Sequence, residues 1–295
     1  MPSLPFYWVD AFTSQKLAGN PCAVILDADE LDDARMLEVA REMNLSETAF
    51  VMRSTRADFR ARYFTPEREI PLAGHPTLAT TRALLDAGRI PAGDRVFRLE
   101  LTAGIVEVEI AAGAVGRQVL TMKQLRPQFL REHDPAEVMP AFGLTPQDLR
   151  PGAKIQTVST GTPGLMVLVR DAEALRRARL DVDAYVKLRE RADFFSPHLF
   201  CLSGATSKGQ TFARHFGVPP DTAEDPFTGS ATGSMSAFLW RYGWIKSPRF
   251  AAEQGHWMGR PGTAQVEVIG PPEAIEAVKV GGEAVTVIRG SIDVG

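Results

Sequence analysis

The chain has 295 residues, of which 44% are hydrophobic and 23% charged, a composition typical of globular proteins. Its formal net charge of -3 and pI near 6.0 argue against a nucleic-acid partner, which normally requires a basic surplus. The sequence shows no apolar run near the roughly 20 residues of a membrane span and no signal-peptide pattern, so we expect a cytoplasmic protein without a membrane partner.

Length, cysteine content and motif content narrow the class further. A chain of this length exceeds the usual size of one core, so we expect two lobes of roughly 100–150 residues. The two cysteines, Cys22 and Cys201, are too few for a disulfide framework and have no metal-binding spacing. The five histidines form no HExxH motif, and the sequence has neither a Walker lysine nor a GxGxxG motif. We therefore expect no metal and no cofactor.

The first clear elements in chain order are a helix and a hairpin. Apolar residues recur at helical spacing over residues 36–43, after the capping candidates Asp32 and Asp33. Further along, apolar and charged residues alternate on both sides of a turn at residues 103–104, which predicts two half-buried antiparallel strands. The stretch 124–151, rich in proline and charge, is interpreted as the crossover between the lobes.

The chain also contains an internal duplication. Residues 61–64 (ARYF) resemble residues 213–216 (ARHF), and residues 18–26 resemble residues 160–168. In both copies the ARYF or ARHF segment is followed by a proline-containing loop, a glycine and a helical stretch. Because the matching segments occur in the same order, we expect two similar lobes, each with strands around one long apolar helix.

A glycine precedes the long helix in each copy. Gly74 and Gly88 are 14 positions apart, as are Gly229 and Gly243, and the second glycine of each pair is a helix stop. The first N–H groups of a helix lack internal partners and carry the positive end of the helix dipole, so they can bind a carboxylate. One such glycine, or Ser230 beside it, could simply form a turn or a cap. The paired occurrence favours an anion-binding cleft between the lobes.

Three titratable side chains lie close to these helix starts in sequence. Glu47 stands where a helix is followed by an apolar strand, His75 stands at a helix start, and Asp225 stands in a turn. Each also has a purely structural interpretation, as a surface glutamate, a capping or core histidine, and a turn-forming aspartate. None of the three is decisive alone.

Short motifs along nearly the whole chain, in the same order, resemble the phenazine-biosynthesis isomerase family. They are Gly19-Asn20-Pro21, Leu45-Ser46-Glu47-Thr48-Ala49-Phe50, Ala73-Gly74-His75-Pro76-Thr77, Glu224-Asp225-Pro226-Phe227-Thr228-Gly229-Ser230-Ala231, and Glu253-Gln254-Gly255 with Met258-Gly259-Arg260-Pro261. Together these motifs are highly specific, whereas each alone is weak.

The resemblance implies an α+β fold related to diaminopimelate epimerase. Such a fold has two pseudo-symmetric lobes, each a rolled, mostly antiparallel sheet around a central helix, with the active site between them. We assign the lobes to residues 1–120 and 121–282 and expect a C-terminal strand, at about 283–295, to pack back onto the first lobe. Likeness to the family also implies a homodimer.

The resemblance also implies which residues form the site. Glu47 corresponds to the family's essential proton-transfer carboxylate, and His75 and Asp225 match catalytic pocket positions. The binding role of Asn20 and Ser46 follows only from their motif positions. The implied substrate-binding residues are Gly74, Gly229, Ser230, Asn20 and Ser46.

We hypothesise that Glu47 shifts a proton between two carbons of a small carboxylate substrate, removing and returning it on one face. The family's best-known reaction isomerises a dihydro-hydroxyanthranilate by a proton shift between ring carbons. Burial beside Leu45, Ala49 and Phe50 is expected to raise the pKa of Glu47 toward the range that suits a general base.

Two alternatives remain open from the sequence. The protein could bind a small acid without catalysis, or it could be an epimerase or racemase acting on another small acid. Epimerase relatives carry a cysteine at each helix start, whereas this chain has residues 73–75 (AGH) and 228–230 (TGS) there. Racemisation by two cysteines is therefore disfavoured.

Overall fold

The computed structural model describes residues 3–91, 93, 95–113 and 116–295, which form a mixed α+β fold. The strands are β1 (Leu4–Ala11), β2 (Asn20–Ile25), β3 (Thr48–Met52), β4 (Phe59–Phe64), β5 (Glu69–Ile70), β6 (Arg95–Leu101), β7 (Gly104–Ala112), β8 (Gln118–Gln124), β9 (Gln128–His133), β10 (Ile155–Ser159), β11 (Pro163–Leu168), β12 (Ser196–Cys201), β13 (Thr211–Phe216), β14 (Glu224–Asp225), β15 (Arg249–Gln254), β16 (Gly262–Ile269), β17 (Ala277–Gly282) and β18 (Ala284–Ile292). The helices are α1 (Asp33–Met43), α2 (Gly74–Asp86), α3 (Pro135–Val138), α4 (Ala172–Arg177), α5 (Val182–Arg189) and α6 (Gly229–Arg241).

The strand pairings repeat in the two halves of the chain. β2 and β3 pair in parallel, as do β11 and β12, and β4 runs parallel to β6 as β13 does to β15. Helices α2 and α6 each have 13 residues. α2 packs against β1, β2, β3, β8 and β18, and α6 packs against β10, β11, β16 and β17. The fold therefore consists of two similar lobes, each a mostly antiparallel sheet around one helix, as the sequence predicts.

One strand, at the C-terminal end of the chain, crosses from the second lobe to the first. β9 pairs with β10 of the second half, whereas β18 returns to pair with β1. β8 and β17 pair with each other and connect the two sheets. The stretch 124–151 carries the chain across and also contains β9, α3 and two short 3-10 turns. The proposed lobe boundary after residue 120 falls inside β8, so the division of the chain at that point remains a prediction.

Local sequence signals explain the ends of the helices. Asp32 caps α1 by accepting a hydrogen bond from the Arg35 backbone nitrogen at 2.8 Å, and Asn44 ends the helix in the left-handed conformation. Gly88 and Gly243 lie just beyond α2 and α6 with φ values of 67° and 68°. The residues of β6 and β7 alternate between buried and exposed positions, which confirms the predicted hairpin.

The central helices are buried on nearly every side. Several of their buried polar residues are small hydroxyl side chains that bond to the carbonyl one turn back. Thr77 donates to the Ala73 carbonyl at 2.7 Å, and Thr232 donates to the Thr228 carbonyl at 2.9 Å. These hydroxyl groups are therefore buried without losing their hydrogen bonds. Within the described residues, no helix has both the length and the apolar character that crossing a membrane requires.

Candidate active site

The N-termini of α2 and α6 meet at Gly74 and Gly229. A Cβ atom on Gly74 would lie 2.8 Å from Gly229 Cα and 2.9 Å from the Ser230 nitrogen, and one on Gly229 would lie 3.1 Å from Gly74 Cα. Both positions therefore require glycine, because the two backbones approach too closely for a side chain. Among the described residues no side chain caps either helix, so the first N–H groups remain available to an anion.

Glu47 stands between α1 and β3 and faces the junction of the two helices. Its side chain retains 17% of its accessible surface, and Oε2 lies 3.4 Å from Nδ1 of His75. This oxygen is buried and has no hydrogen-bond partner in the described chain. Desolvation raises the pKa of Glu47 well above its usual value, and the negative charges of Asp225 and Asp221 raise it further. The expected direction of the pKa shift is confirmed.

His75 occupies the first turn of α2 and is buried. Burial lowers the pKa of His75 to about 4, an effect that Asp225 and the backbone of Pro21 partly offset. The imidazole is therefore neutral near pH 7. Its Nδ1 atom lies 3.0 Å from Nδ2 of Asn20 in addition to its approach to Glu47. The neutral imidazole of His75 therefore lies beside the carboxyl group of Glu47, whose pKa is raised.

Asp225 is held by hydrogen bonds from both lobes. Its Oδ1 accepts from Ser46 Oγ at 2.6 Å and from Asn20 Nδ2 at 2.8 Å, and its Oδ2 accepts from Thr228 Oγ1 at 2.5 Å. Asn20 Nδ2 also donates to the Phe227 carbonyl at 2.8 Å. Asn20 is completely buried, and its Nδ2 atom connects His75, Asp225 and the Phe227 carbonyl.

Two residues that the sequence reasoning did not single out position this network. Gln254 Nε2 donates to the Asp225 carbonyl at 2.7 Å, and Gln254 Oε1 accepts from the Thr228 nitrogen at 3.2 Å. Arg260 donates to the Gly19 carbonyl at 2.9 Å, next to Asn20. Both residues stand in the last of the motifs quoted above, so the motif was the available signal, but their contacts depend on the folded chain.

A cavity opens beside these groups and is lined by both lobes. Four of the predicted site residues line it, whereas Asn20 and His75 are buried next to lining residues and Gly74 and Gly229 form the helix junction beside Ser230. Those four residues are Ser46, Glu47, Asp225 and Ser230.

One cluster in the site has the composition of a metal-ligand set. Ligand atoms of Glu47, His75 and Asp225 lie within 4.8 Å of one another. A cation there would compete with the hydrogen bonds that Asp225 already accepts from Ser46 and Asn20. The absence of a metal therefore remains a prediction, which metal analysis of the purified protein tests directly.

Comparisons with known proteins agree with this architecture. The family model described as phenazine biosynthesis-like protein matches residues 9–290. The chain is 34% identical over 286 residues to the trans-2,3-dihydro-3-hydroxyanthranilate isomerase of Pseudomonas aeruginosa, and the match covers 96% of each chain. A crystal structure of a PhzF-family phenazine biosynthesis protein from Bacillus anthracis superposes with a TM-score of 0.88 and 30% identity, covering 99% of this chain and 100% of the other.

A more distant neighbour supports the fold class. The structure of a hydroxyproline epimerase from Agrobacterium vitis matches with a TM-score of 0.71 and 14% identity, covering 98% of this chain and 92% of the other. At this identity the likeness concerns the fold alone.

The two similar lobes, with a cavity lined by residues of both, define the diaminopimelate epimerase-like fold class. Within this class the chain belongs to the phenazine biosynthesis-like family. Relatives of the same length are named isomerases, and the protein is an isomerase of this family.

Proposed function

We propose that the protein shifts a proton between two carbons of a small carboxylate substrate in the cleft between its lobes, without a cofactor. Glu47 is the proposed acid and base. The observation that carries this assignment is the Glu47 carboxyl group itself, which lines the cavity and keeps a buried oxygen without a hydrogen-bond partner in the described chain. It lies beside neutral His75 at the helix junction.

The substrate carboxylate is proposed to bind at the N-termini of α2 and α6. The close contact of Gly74 and Gly229 brings two sets of unpaired N–H groups and the positive ends of two helix dipoles together. Ser230, in the first turn of α6, lines the same cavity. A carboxylate held there would lie close to Glu47.

The proton shift needs one base and no second reactant. The Glu47 carboxylate takes a proton from one substrate carbon, and the electron pair of that C–H bond moves into the neighbouring π system. The same carboxyl group then returns the proton to a second carbon on the same face. A pKa raised toward the working pH suits both steps, because the group must accept and release the proton. Asp225, which lines the cavity, is proposed to hold the amino or hydroxyl group of the substrate during the transfer, and His75 is proposed to position the Glu47 carboxyl group.

Replacement of Glu47 by glutamine tests the proposal. We expect Glu47→Gln to lower turnover of trans-2,3-dihydro-3-hydroxyanthranilate about 10²–10⁴-fold, because glutamine keeps the size of the side chain and removes its basicity. Incorporation of solvent deuterium into the product provides the direct measurement. The substrate is chosen because the Pseudomonas aeruginosa relative is named for it.

The matched control is Glu42→Gln, which changes an exposed glutamate on α1. It should leave turnover unchanged. Equal turnover in Glu47→Gln and the wild type would reject Glu47 as the base. Binding of the substrate that raises the melting temperature without any deuterium exchange in the wild type would favour the non-catalytic alternative.

The homodimer implied by the family likeness is retained as a proposal. Sedimentation equilibrium of the purified protein distinguishes one copy from two.

A further inference from the structure

A row of three titratable side chains runs across neighbouring strands of the second lobe. His198 on β12 pairs with His215 on β13, and His215 pairs with Asp225 on β14. Residues directly opposite each other in antiparallel strands point to the same face of the sheet. His215 and Asp225 line the cavity, whereas His198 is fully buried behind His215. The proton-transfer scheme above uses neither histidine.

The two histidine rings share one hydrogen bond. Nδ1 of His198 lies 3.3 Å from Nδ1 of His215. Burial lowers the pKa of His215 to about 4 and the pKa of His198 well below its usual value, so both rings are neutral near pH 7. A neutral imidazole has one donor and one acceptor nitrogen, so one of the two Nδ1 atoms carries the shared proton.

Burial decides which nitrogen carries that proton. Nε2 of His198 is buried and has no hydrogen-bond partner in the described chain. If His215 donated the shared proton, His198 would carry its own proton on Nε2, as a buried N–H group without an acceptor. Orphaned buried N–H groups are rare and costly, more so than unpaired acceptors. His198 therefore carries its proton on Nδ1 and donates to His215.

This arrangement determines the tautomer of His215. Because its Nδ1 accepts from His198, its own proton is on Nε2, the nitrogen on the opposite side of the ring from Nδ1. Within the described residues Nε2 of His215 makes no hydrogen bond. His215 thus has an unused N–H donor on a ring that lines the cavity.

The equivalent position in the first lobe has a structural role instead. The repeat places Tyr63 where the second lobe has His215. Tyr63 is buried opposite Ile70, and its hydroxyl group lies 3.0 Å from Thr77 Oγ1. The donor of Tyr63 is satisfied inside the lobe, whereas that of His215 is left for a ligand.

We propose that His215 is a substrate-binding residue that donates from Nε2 to an oxygen of the bound acid, and that His198 is a positioning residue that sets this tautomer. The inference deepens the proposed function, because it concerns the same cavity. It predicts a substrate that carries an acceptor oxygen, as a carboxylate or a hydroxyl group, on the side of the second lobe.

Nitrogen NMR of histidine-labelled protein without ligand tests the tautomer independently of catalysis. The five histidines are few enough to assign by single variants. We expect His215 to be protonated on Nε2 and His198 on Nδ1, and we expect His198→Phe to release His215 into a mixture of tautomers. A wild-type His215 protonated on Nδ1 would overturn the proposal.

Calorimetric binding of two unreactive aromatic acids, anthranilate and 3-hydroxyanthranilate, tests the contact. We expect His215→Leu to weaken binding about tenfold, in line with the loss of one hydrogen bond. A loss for both acids identifies the carboxylate as the acceptor, and a loss for 3-hydroxyanthranilate alone identifies the ring hydroxyl. Unchanged binding of both acids, or no binding of either acid to the wild type, contradicts the proposal.

The control is His133→Phe, which removes another buried histidine. His133 does not line this cavity, and its Nε2 lies 2.8 Å from Thr157 Oγ1. It should leave both affinities unchanged. His198→Phe should weaken binding less than His215→Leu, since the ring of His215 remains in place. Because neither acid reacts, these results are independent of whether Glu47→Gln abolishes turnover.

Discussion

The two lobes share a framework down to individual side chains. Arg62 makes a two-pronged ion pair with Glu69 at 3.0 and 2.5 Å, and Arg214 makes the same pair with Glu224 at 2.8 and 2.7 Å. Each guanidinium also lies over the phenylalanine two positions further along its strand. The same ion pair therefore joins β4 to β5 in the first lobe and β13 to β14 in the second, in the segment that precedes each central helix.

The lobes differ at the positions that face the cavity. In the parallel pairings Ala23 lies opposite Thr48 and Leu165 opposite Pro197. With residues 18–26 aligned to 160–168, this register equates Glu47 with Ser196. The second lobe thus has a hydroxyl group where the first has a carboxyl group.

The titratable side chains at the cavity and beside it are therefore divided between the lobes rather than duplicated. The first lobe contributes Glu47 and His75, and the second contributes Asp225 and His215. A repeated backbone can therefore position an asymmetric site, because the repeat preserves the backbone frame while single side chains change. One carboxyl base, instead of a symmetric pair, is the chemical consequence we propose.

Separating the two helix starts should have the largest effect on stability and turnover. A methyl group at position 74 would meet the backbone of Gly229 at 2.8 Å, so Gly74→Ala should lower the free energy of unfolding by about 1–3 kcal/mol and abolish most turnover. Chemical denaturation and the deuterium assay measure both effects. Gly290→Ala on exposed β18 is the control, since a Cβ there meets no described atom within 4 Å. Equal stability of the two variants would show that the helix starts do not need their close contact.

The pH dependence of stability should reveal the carboxyl group of Glu47, whose equivalent in the second lobe is the hydroxyl group of Ser196. The pKa of Glu47 is raised in the folded protein above its unfolded value of about 4.3, so the folded state binds more protons between these two values. The free energy of unfolding contributed by this group therefore falls as pH rises through that window. We expect Glu47→Gln to gain stability relative to the wild type as the pH rises from about 4 toward 7.

Denaturation curves at both pH values provide the measurement. Glu42→Gln should show no such pH-dependent difference from the wild type. A Glu47→Gln variant whose relative stability does not change with pH would indicate that Glu47 is solvated in the folded protein.

The smallest effects should come from the shared framework. Arg62→Gln and Arg214→Gln each remove a partly buried, two-pronged ion pair, and each should cost about 1 kcal/mol of unfolding free energy. Similar losses in thermal or chemical denaturation would show that the two ion pairs stabilise their lobes equally. A much larger loss for Arg214→Gln would show that the second framework also supports Asp225, the neighbour of Glu224.

Much of the fold could be predicted because its signals are local or repeated. The caps of α1, the alternation in β6 and β7, and the glycines that bound α2 and α6 are short-range patterns with direct backbone causes. The pairing of β8 with β17, which joins the two sheets, was less accessible, since pairing between strands distant in sequence depends on the whole sheet. The boundary drawn after residue 120 consequently falls inside β8.

Sequence motifs and their order were sufficient to predict the duplication, the family and four of the residues that line the cavity, Ser46, Glu47, Asp225 and Ser230. How these residues meet depends on the tertiary structure, in which the starts of α2 and α6 touch, Glu47 is largely buried beside His75, and His198 faces His215. Desolvation and hydrogen bonding depend on which atoms surround a group in space. In this protein the atoms that surround Glu47, Asp225 and His215 come from different strands and from both lobes.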